Sequence, residues 1–572
     1  MKVVIVGGVA AGMSAAARLR RLNEDAEIVV FERDEYVSFA NCGLPYHIGG
    51  EIADREKLLV VTPERLERQL NIAVHTCHEV TGIDRERRVI HVFDRRGKRS
   101  FEESWDKLIL AQGAVPLRPP LPGIDHPKIF TVRNIPDMDA IKRTVDNGAK
   151  SAVVIGGGYV GVEVAEAFQH RGMNVCLIEL LEEILPPLDH EMDRALIHHM
   201  ERQGVSLMLG QRAESFHDAN GQVEVRLGSG TSVRCDLAVL AMGVRSESSL
   251  AREAGLAIGE RGGLVVDEHM RTSDPDIYAA GDMVEVTDTV TRDQAIIALA
   301  GPANRQGRIA ADHICGRPTA YTSTQGTSVV KVFEMTAGGT GASEKTLKRK
   351  GMPYEKVYIH GNGHASYYPG TNPMHLKVLF APGDGKILGA QVAGVDGVDK
   401  RIDVMAVALR AGMSVFDLEH LELAYAPPYG SAKDPVNMAG FVAANILRGD
   451  LEQWHAEDYP ARTEGMILDV RTPQEFDEWH IEEAINLPLT ELRQRLGELD
   501  RNQAIYVYCK SGFRGYLAYR ILKQRGFSTV RNLSGGLQTF LLHRHVCMGC
   551  PETENPLITY AEDRHVTADG SA

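Results

Sequence analysis

Basic residues are in deficit: 63 Lys and Arg face 77 Asp and Glu, a formal charge of −14 over 572 residues. That balance argues against a general nucleic-acid binder, while leaving room for a local basic pocket that holds an anionic cofactor. Cysteine is sparse. The eight, at 42, 77, 176, 235, 315, 509, 547 and 550, are too few for a disulfide framework in a chain this large, so free thiols and a cytoplasmic location are the expectation. No apolar run approaches the roughly 18 residues that cross a bilayer, so no membrane partner is expected. Lys2 followed by Val3 to Val6 imitates the start of a signal peptide, but the glycines at 7, 8 and 12 and the arginines at 18, 20 and 21 fit a nucleotide-binding turn and helix better. Aromatics make up only 6%, yet 44% hydrophobic residues without a low-complexity tract describe a globular protein, and at about 150 residues per domain the length predicts roughly four units.

Lys2 to Val6 reads as a buried strand, Gly7-Gly8-Val9-Ala10-Ala11-Gly12 as a tight turn and Met13 to Leu22 as a helix. A second strand, Glu27 to Phe31, ends in Glu32, 20 residues beyond Gly12, the offset at which a carboxylate reaches an adenosine ribose. Val9 occupies the middle glycine position, so the turn by itself could be an ordinary β-α connection. The pattern recurs at Ser151 to Ile155, Gly156-Gly157-Gly158-Tyr159-Val160-Gly161, a helix, and Asn174 to Ile178 ending in Glu179. The first glycines, Gly7 and Gly156, lie 149 residues apart, and such an internal repeat is far more specific than one Gly-rich turn. Two bound dinucleotides are its simplest meaning. Leu180 and Leu181, where an arginine would meet a 2′-phosphate, favour NADH over NADPH at the second turn.

Each half has a later apolar strand ending in a small-residue turn, Leu108 to Gly113 and Leu237 to Gly243, and Ile277-Tyr278-Ala279-Ala280-Gly281-Asp282 follows. These elements, in this order, resemble the two-dinucleotide FAD/NAD(P) disulfide-reductase superfamily. The resemblance implies that Gly7, Gly8, Gly12, Glu32, Gly113, Asp282 and Ala300 serve FAD, with the helix near Ala300 to Asn304 pointing its N-terminus at the flavin. It assigns Gly156, Gly158, Gly161, Glu179 and Gly243 to NAD. An FAD-binding domain is expected over 1–115 and 245–321, with the NAD-binding domain, 116–244, inserted into it.

Ser38-Phe39-Ala40-Asn41-Cys42-Gly43-Leu44-Pro45-Tyr46 carries a single cysteine; two-cysteine members of the superfamily have a partner five residues on, where this chain has His47. Cys42 is either a buried structural thiol or a redox centre that cycles through a mixed disulfide, a persulfide or a sulfenic acid. The motif is similar to that of coenzyme A disulfide reductases and NADH-dependent persulfide reductases. That resemblance implies CoA contacts from Ser14, Arg18, Arg21, Ser38, Asn41, Asn304 and Lys433. Arg18 and Arg21, three apart on one helix face, can meet a phosphate together or simply be solvated.

Residues 322–447 match the α+β dimerisation domain of the superfamily. The resemblance implies a homodimer in which Tyr367 and Tyr425 reach the partner's redox cysteine, although tyrosines also pack interfaces without chemistry. A polar linker, 448–464, leads to 465–542, where Met466 to Arg471, Tyr506 to Arg514 and Asn532 to Gly536 resemble a rhodanese domain. There Cys509 opens a six-residue loop, Cys509–Arg514, before a helix, and the loop amides, the helix dipole and Arg514 would favour a thiolate and then a persulfide. In the tail, 543–572, His543, His545, Cys547 and Cys550 offer metal ligands, a Cys-x-x-Cys redox dithiol or simply a flexible terminus; no metal is assigned. The expected fold is α/β throughout: two Rossmann-like domains, an α+β dimerisation domain and a C-terminal α/β rhodanese domain. The expected activity is NADH-driven reduction, through FAD and Cys42, of a CoA persulfide, polysulfide or CoA disulfide, with Cys509 delivering sulfur. The alternatives are a water-forming NADH oxidase using a Cys42 sulfenate, and a thiol or sulfur redox sensor.

Overall fold

Lys2–Val6 and Ser151–Ile155 are short runs of β-branched and small apolar residues, and in the computed structural model each is the central strand of a five-stranded parallel sheet. The model describes residues 1–460 and 465–544 together with the strand Ile558–Thr559. The described chain divides into two compact units, one formed by Met1–Glu182 with Gly204–Thr324, the other by Glu183–Gln203 with the described residues from Gln325 to 544.

The first unit holds both parallel sheets. One runs Ala73–Thr76, Glu27–Glu32, Lys2–Val6, Lys107–Leu110, Ile277–Ala279, and the other Val205–Met208, Asn174–Ile178, Ser151–Ile155, Leu237–Leu240, Ile129–Thr131. The two orders are equivalent. In each, the last residue of the central strand, Val6 or Ile155, pairs on one side with the strand that ends at the acid and on the other with the strand that leads to the small-residue turn. Both glycine turns therefore open at the carboxyl edge of their sheet, where strand order reverses and ligands of open α/β sheets bind. Between the sheets in sequence, Ala114–Pro116 pairs antiparallel with Val244–Ser246.

The second unit contains a five-stranded antiparallel sheet, Ser328–Val332, Met335–Gly341, Ile387–Gly394, Pro373–Phe380, Glu355–Asn362, and a parallel sheet, Gln453–Trp454, Val530–Leu533, Ile505–Tyr508, Met466–Asp469, Ile485–Asn486. Two features differ from the sequence expectation. Gln453–Trp454, expected within the linker, is the edge strand of the C-terminal sheet; Trp454 is buried and donates from Nε1 to the Val507 carbonyl at 3.2 Å. Glu183–Gln203, expected in the NAD-binding domain, belongs to the second unit. Two of its acids meet a buried lysine of that unit. The fully buried Lys377 ammonium meets Asp189 at 2.9 Å, Glu191 at 2.5 Å and Glu344 at 2.6 Å, and a charge at that depth is held only with partners of opposite sign.

No helix among the described residues is long and apolar enough to cross a membrane. His543 ends the helix Gly536–His543, while His545, Cys547 and Cys550 lie outside the described residues.

Candidate active site

The two glycine turns are built alike. A Cβ on Gly7 would lie 2.3 Å from the Ala111 carbonyl oxygen, and one on Gly156 the same 2.3 Å from that of Ala241. A Cβ on Gly12 would lie 1.9 Å from the Gly7 oxygen, and one on Gly161 1.9 Å from that of Gly156. Each acid folds back on its turn: Glu32 accepts from the Gly8 amide at 2.8 Å, and Glu179 from the Gly157 amide at 2.5 Å. Gly8 and Gly12 thus build the first turn from behind. At Gly158 an added Cβ would meet nothing within 4 Å, so that side of the second turn is open to a ligand. Leu180 and Leu181, just past Glu179, are exposed.

A cavity of about 380 Å³ opens at the first turn, and Gly7, Glu32, Gly113 and Asp282 all line it. Gln112 also faces it, and its buried Oε1 has no hydrogen-bond partner among the described residues. Burial pushes the Asp282 carboxyl above its ordinary range, only partly countered by Arg133. A glycine cradle, an acid in ribose register and an orphaned amide oxygen fit a dinucleotide such as FAD.

A second groove, about 540 Å³, shares Val9, Ala10, Phe39 and Asn41 with the first cavity. Cys42 lines it, with Ser14, Arg21, Ser38, Asn41, Ala300 and Asn304. Ser38 sits in the left-handed region at φ 47° and donates its amide to the Gly8 carbonyl at 2.8 Å, which lays the cysteine segment over the glycine turn. Cys42 itself lies in the tight turn Asn41–Gly43 that leads into the helix Leu44–Gly49. It is exposed on the groove, yet local burial pushes its thiol pKa up, and the carboxylates of Glu163 and Asp282 add to the shift. Both carboxylates thus oppose a thiolate at this sulfur. His47 is buried with Nδ1 2.6 Å from the Ile52 carbonyl, a packing role at the position where two-cysteine relatives carry their second sulfur.

Arg18 is not on the groove. It donates to Asp312 at 2.6 Å, a pair with side chains 15% and 3% exposed. Sequence spacing missed Arg308, which lines the groove from the helix Ala300–Ile314; like Arg21 it has no carboxylate partner among the described residues. It also missed Glu163, which accepts from the Tyr46 hydroxyl at 3.2 Å and whose pKa burial pushes up to about 7. Arg308 is marked only by its place on the groove and Glu163 only by its burial against Tyr46, and both are tertiary signals. Cys77, Cys176 and Cys235 are buried, and burial pushes the thiols of Cys176 and Cys235 up to about 12.

In the second unit the hydroxyls of Tyr367 and Tyr425 lie 2.6 Å apart, with Tyr367 73% exposed, and Lys433 is exposed nearby in sequence. Cys509 follows the strand Ile505–Tyr508, and the Gly512 amide, at the start of the helix Phe513–Gln524, donates to its sulfur at 3.2 Å. Arg514 differs from expectation: its guanidinium forks onto Glu475 at 2.7 Å for both bonds, so its charge is shared with a carboxylate and not reserved for the sulfur.

Paired glycine-turn sheets with a lone cysteine beside the first define a two-dinucleotide redox protein. The chain belongs to the pyridine nucleotide-disulphide oxidoreductase family, whose model matches residues 1–307. The family's dimerisation-domain model matches 327–434, and a rhodanese-like domain model matches 448–543. A coenzyme A disulfide reductase of Staphylococcus epidermidis is 36% identical over 77% of this chain and 99% of its own length. The reduced CoADR-RHD of Bacillus anthracis is 46% identical with a TM-score of 0.92, covering 95% of this chain and 98% of that one. A NAD-dependent persulfide reductase from A. fulgidus is 38% identical with a TM-score of 0.89, covering 94% and 100%. A water-forming NADH oxidase from Lactobacillus brevis is less similar, at 30% identity and a TM-score of 0.76, covering 79% and 99%.

Proposed function

We propose that this protein reduces CoA persulfide or CoA disulfide with NADH through Cys42, and that Cys509 supplies sulfane sulfur to CoA. The observation that carries the reading is the groove: Cys42 lines it together with Arg21 and Arg308, which have no carboxylate partner among the described residues, and its wall is shared with the dinucleotide cavity. Unpaired guanidiniums suit the phosphates of CoA. The named activities of the relatives that cover more than nine-tenths of the chain support sulfur chemistry over oxygen reduction.

Gly7, Glu32, Gly113 and Asp282 would hold FAD, which when bound relays two electrons between nicotinamide and sulfur. The Cys42 thiolate attacks the CoA sulfur of CoA persulfide; the S–S bond breaks, hydrosulfide leaves, and a Cys42–CoA mixed disulfide forms. Two electrons and a proton from NADH then restore the Cys42 thiolate and release CoA thiol, so each cycle consumes one NADH and yields one sulfide. With CoA disulfide the leaving group is a CoA thiolate, which takes a proton from solvent. Ser14, Arg21, Ser38, Asn41, Asn304 and Arg308 orient the carrier. Cys509 takes a sulfur atom from a donor, with polysulfide as a distal source, and passes it to CoA thiol. Exposed Tyr367 and Tyr425 fit a homodimer in which each protomer's phenols and Lys433 complete its partner's groove. A cytoplasmic location suits free thiols.

Anaerobic NADH oxidation with CoA persulfide, followed alongside sulfide release, tests the reading. One sulfide per NADH, lost in Cys42→Ser and kept in Cys509→Ser, is expected. Fast turnover with oxygen alone and sulfide release indifferent to Cys42→Ser would establish the oxidase instead.

A further inference from the structure

The loop of Cys509 does not rest on its own domain alone. Gly535 and Gly536 are consecutive left-handed residues, at φ 66° and 62°, and they lie between the loop and the antiparallel sheet. On one side, a Cβ on Gly536 would sit 2.5 Å from the Cys509 carbonyl oxygen and 2.7 Å from the Gly512 amide. On the other, a Cβ on Gly535 would sit 2.8 Å from Tyr358 Cβ and 2.9 Å from His360 Nε2, both on the strand Glu355–Asn362. The loop is tied to this turn by Leu537 donating to the Cys509 carbonyl at 2.8 Å and Gln538 to that of Lys510 at 3.0 Å.

His360 is bonded at both ring nitrogens. Nε2 lies 2.7 Å from the Thr539 hydroxyl, and Nδ1 lies 2.6 Å from Nδ1 of His375, its direct cross-strand partner on Pro373–Phe380. Burial pushes the His375 pKa down to about 4 and holds His360 well below its ordinary value, so both rings are neutral near pH 7 and one proton lies between them. Whichever ring donates, Thr539 and both histidines form one directed chain of hydrogen bonds. It ends beside the double glycine that shapes the sulfur loop.

We propose that His360, held by His375 and Thr539, is a positioning residue for sulfur transfer at Cys509, so that the sulfurtransferase site is completed by the antiparallel sheet outside its own domain. This deepens the sulfur-transfer half of the reading above. A persulfide on Cys509 is stabilised by loop amides, whose direction depends on the seat that Gly535 and Gly536 find against His360. Small displacements of such a seat cost catalysis more than binding.

The test uses the full-length holoenzyme with thiosulfate and cyanide. Cys509 takes the outer sulfur of thiosulfate, releasing sulfite, and cyanide removes it as thiocyanate. His360→Ala is expected to lower kcat about tenfold with the thiosulfate KM little changed and the melting temperature lowered by the orphaned His375 and Thr539, while NADH-driven reduction of preformed CoA persulfide, assayed below the melting transition, stays at the wild-type value. His360→Gln, which can still reach Thr539, should recover most of the rate. Thr539→Val should lose rate too, and the double variant should lose no more than His360→Ala alone, as expected for residues acting as a unit. Unchanged kcat in His360→Ala, additive losses, or equal losses in both activities would overturn the inference. A wild-type protein that transfers no sulfur would instead overturn the function assigned to Cys509.

Discussion

Arg18 and Arg21 stand one turn apart on the helix Ala10–Leu22, and alanine at each should give opposite phenotypes. Arg21 lines the groove without a carboxylate partner among the described residues, so its truncation costs the fold little. If it binds a CoA phosphate, the lost charge-assisted bond is worth about 1.5–3 kcal/mol, or roughly a 10- to 150-fold rise in KM. Arg18 pairs at 2.6 Å with Asp312, whose side chain is 3% exposed. Its truncation strands a buried carboxylate, a loss of about 3–5 kcal/mol against a total stability on the order of 5–15 kcal/mol. The assay is NADH oxidation with CoA disulfide and, in parallel, with pantethine, a disulfide of the same arm without phosphates, alongside thermal melting. Arg21→Ala should raise KM for CoA disulfide alone and leave the melting temperature in place; Arg308→Ala should behave likewise. Arg18→Ala should lower the melting temperature by several degrees with little change in KM for either substrate. Equal losses for both substrates in Arg21→Ala, or an Arg18→Ala that melts normally but binds CoA poorly, would refute the reasoning.

Alkylation of Cys42 should rise with pH through a midpoint above that of an ordinary thiol, because burial and the carboxylates of Glu163 and Asp282 raise its pKa. Glu163→Gln removes one of those charges and should lower the midpoint; an unmoved midpoint would exclude Glu163 as a neighbour that matters. Gly161→Ala puts a Cβ 1.9 Å from the Gly156 oxygen, so NADH-dependent turnover should collapse while FAD content persists, and loss of both would deny the two turns separate duties. Lys377→Met removes the cation shared by Asp189, Glu191 and Glu344, of which Glu344 keeps Lys348 and Lys356, and should cost about 3–5 kcal/mol near neutral pH. Burial alone would raise the Glu191 carboxyl, but Lys377 and Lys356 outweigh it and hold it below its ordinary range. In the wild type the depressed carboxyl gives up its contribution as pH falls below its unfolded pKa of about 4.3, while in the variant burial raises the unpaired carboxyls, which take up protons at a higher pH, so the gap between wild type and variant should narrow steadily as pH falls from neutrality. Melting at a series of pH values checks this, and a gap that stays constant counts against the ion cluster.

The glycine repeat was legible in the sequence because part of its physical demand is local: at Gly12 and Gly161 a Cβ would collide with the carbonyl oxygen of Gly7 and of Gly156, five residues back in the same turn. The offsets of Glu32 and Glu179 are local for the same reason. Arg18 and Arg21 look identical in sequence because their difference lies on Asp312, almost three hundred residues away. Arg308 and His360 were invisible for a related reason, since each acquires its setting from an element distant in the chain. Trp454 hid within a polar stretch because a two-residue edge strand leaves almost no periodicity to read. Within the second unit Glu183–Gln203 supplies Asp189 and Glu191 to Lys377, a lone lysine in an apolar strand that sequence alone does not tie to any particular acid.

On the proposed mechanism the redox centre borrows its second sulfur from CoA. The most direct measurement is the intact mass of reduced, full-length protein after anaerobic incubation with CoA disulfide, before and after NADH. One CoA per chain, mapped to Cys42, absent in Cys42→Ser and released by NADH, is the predicted result. A protein that stays unmodified, or an adduct elsewhere that NADH leaves in place, would contradict the account.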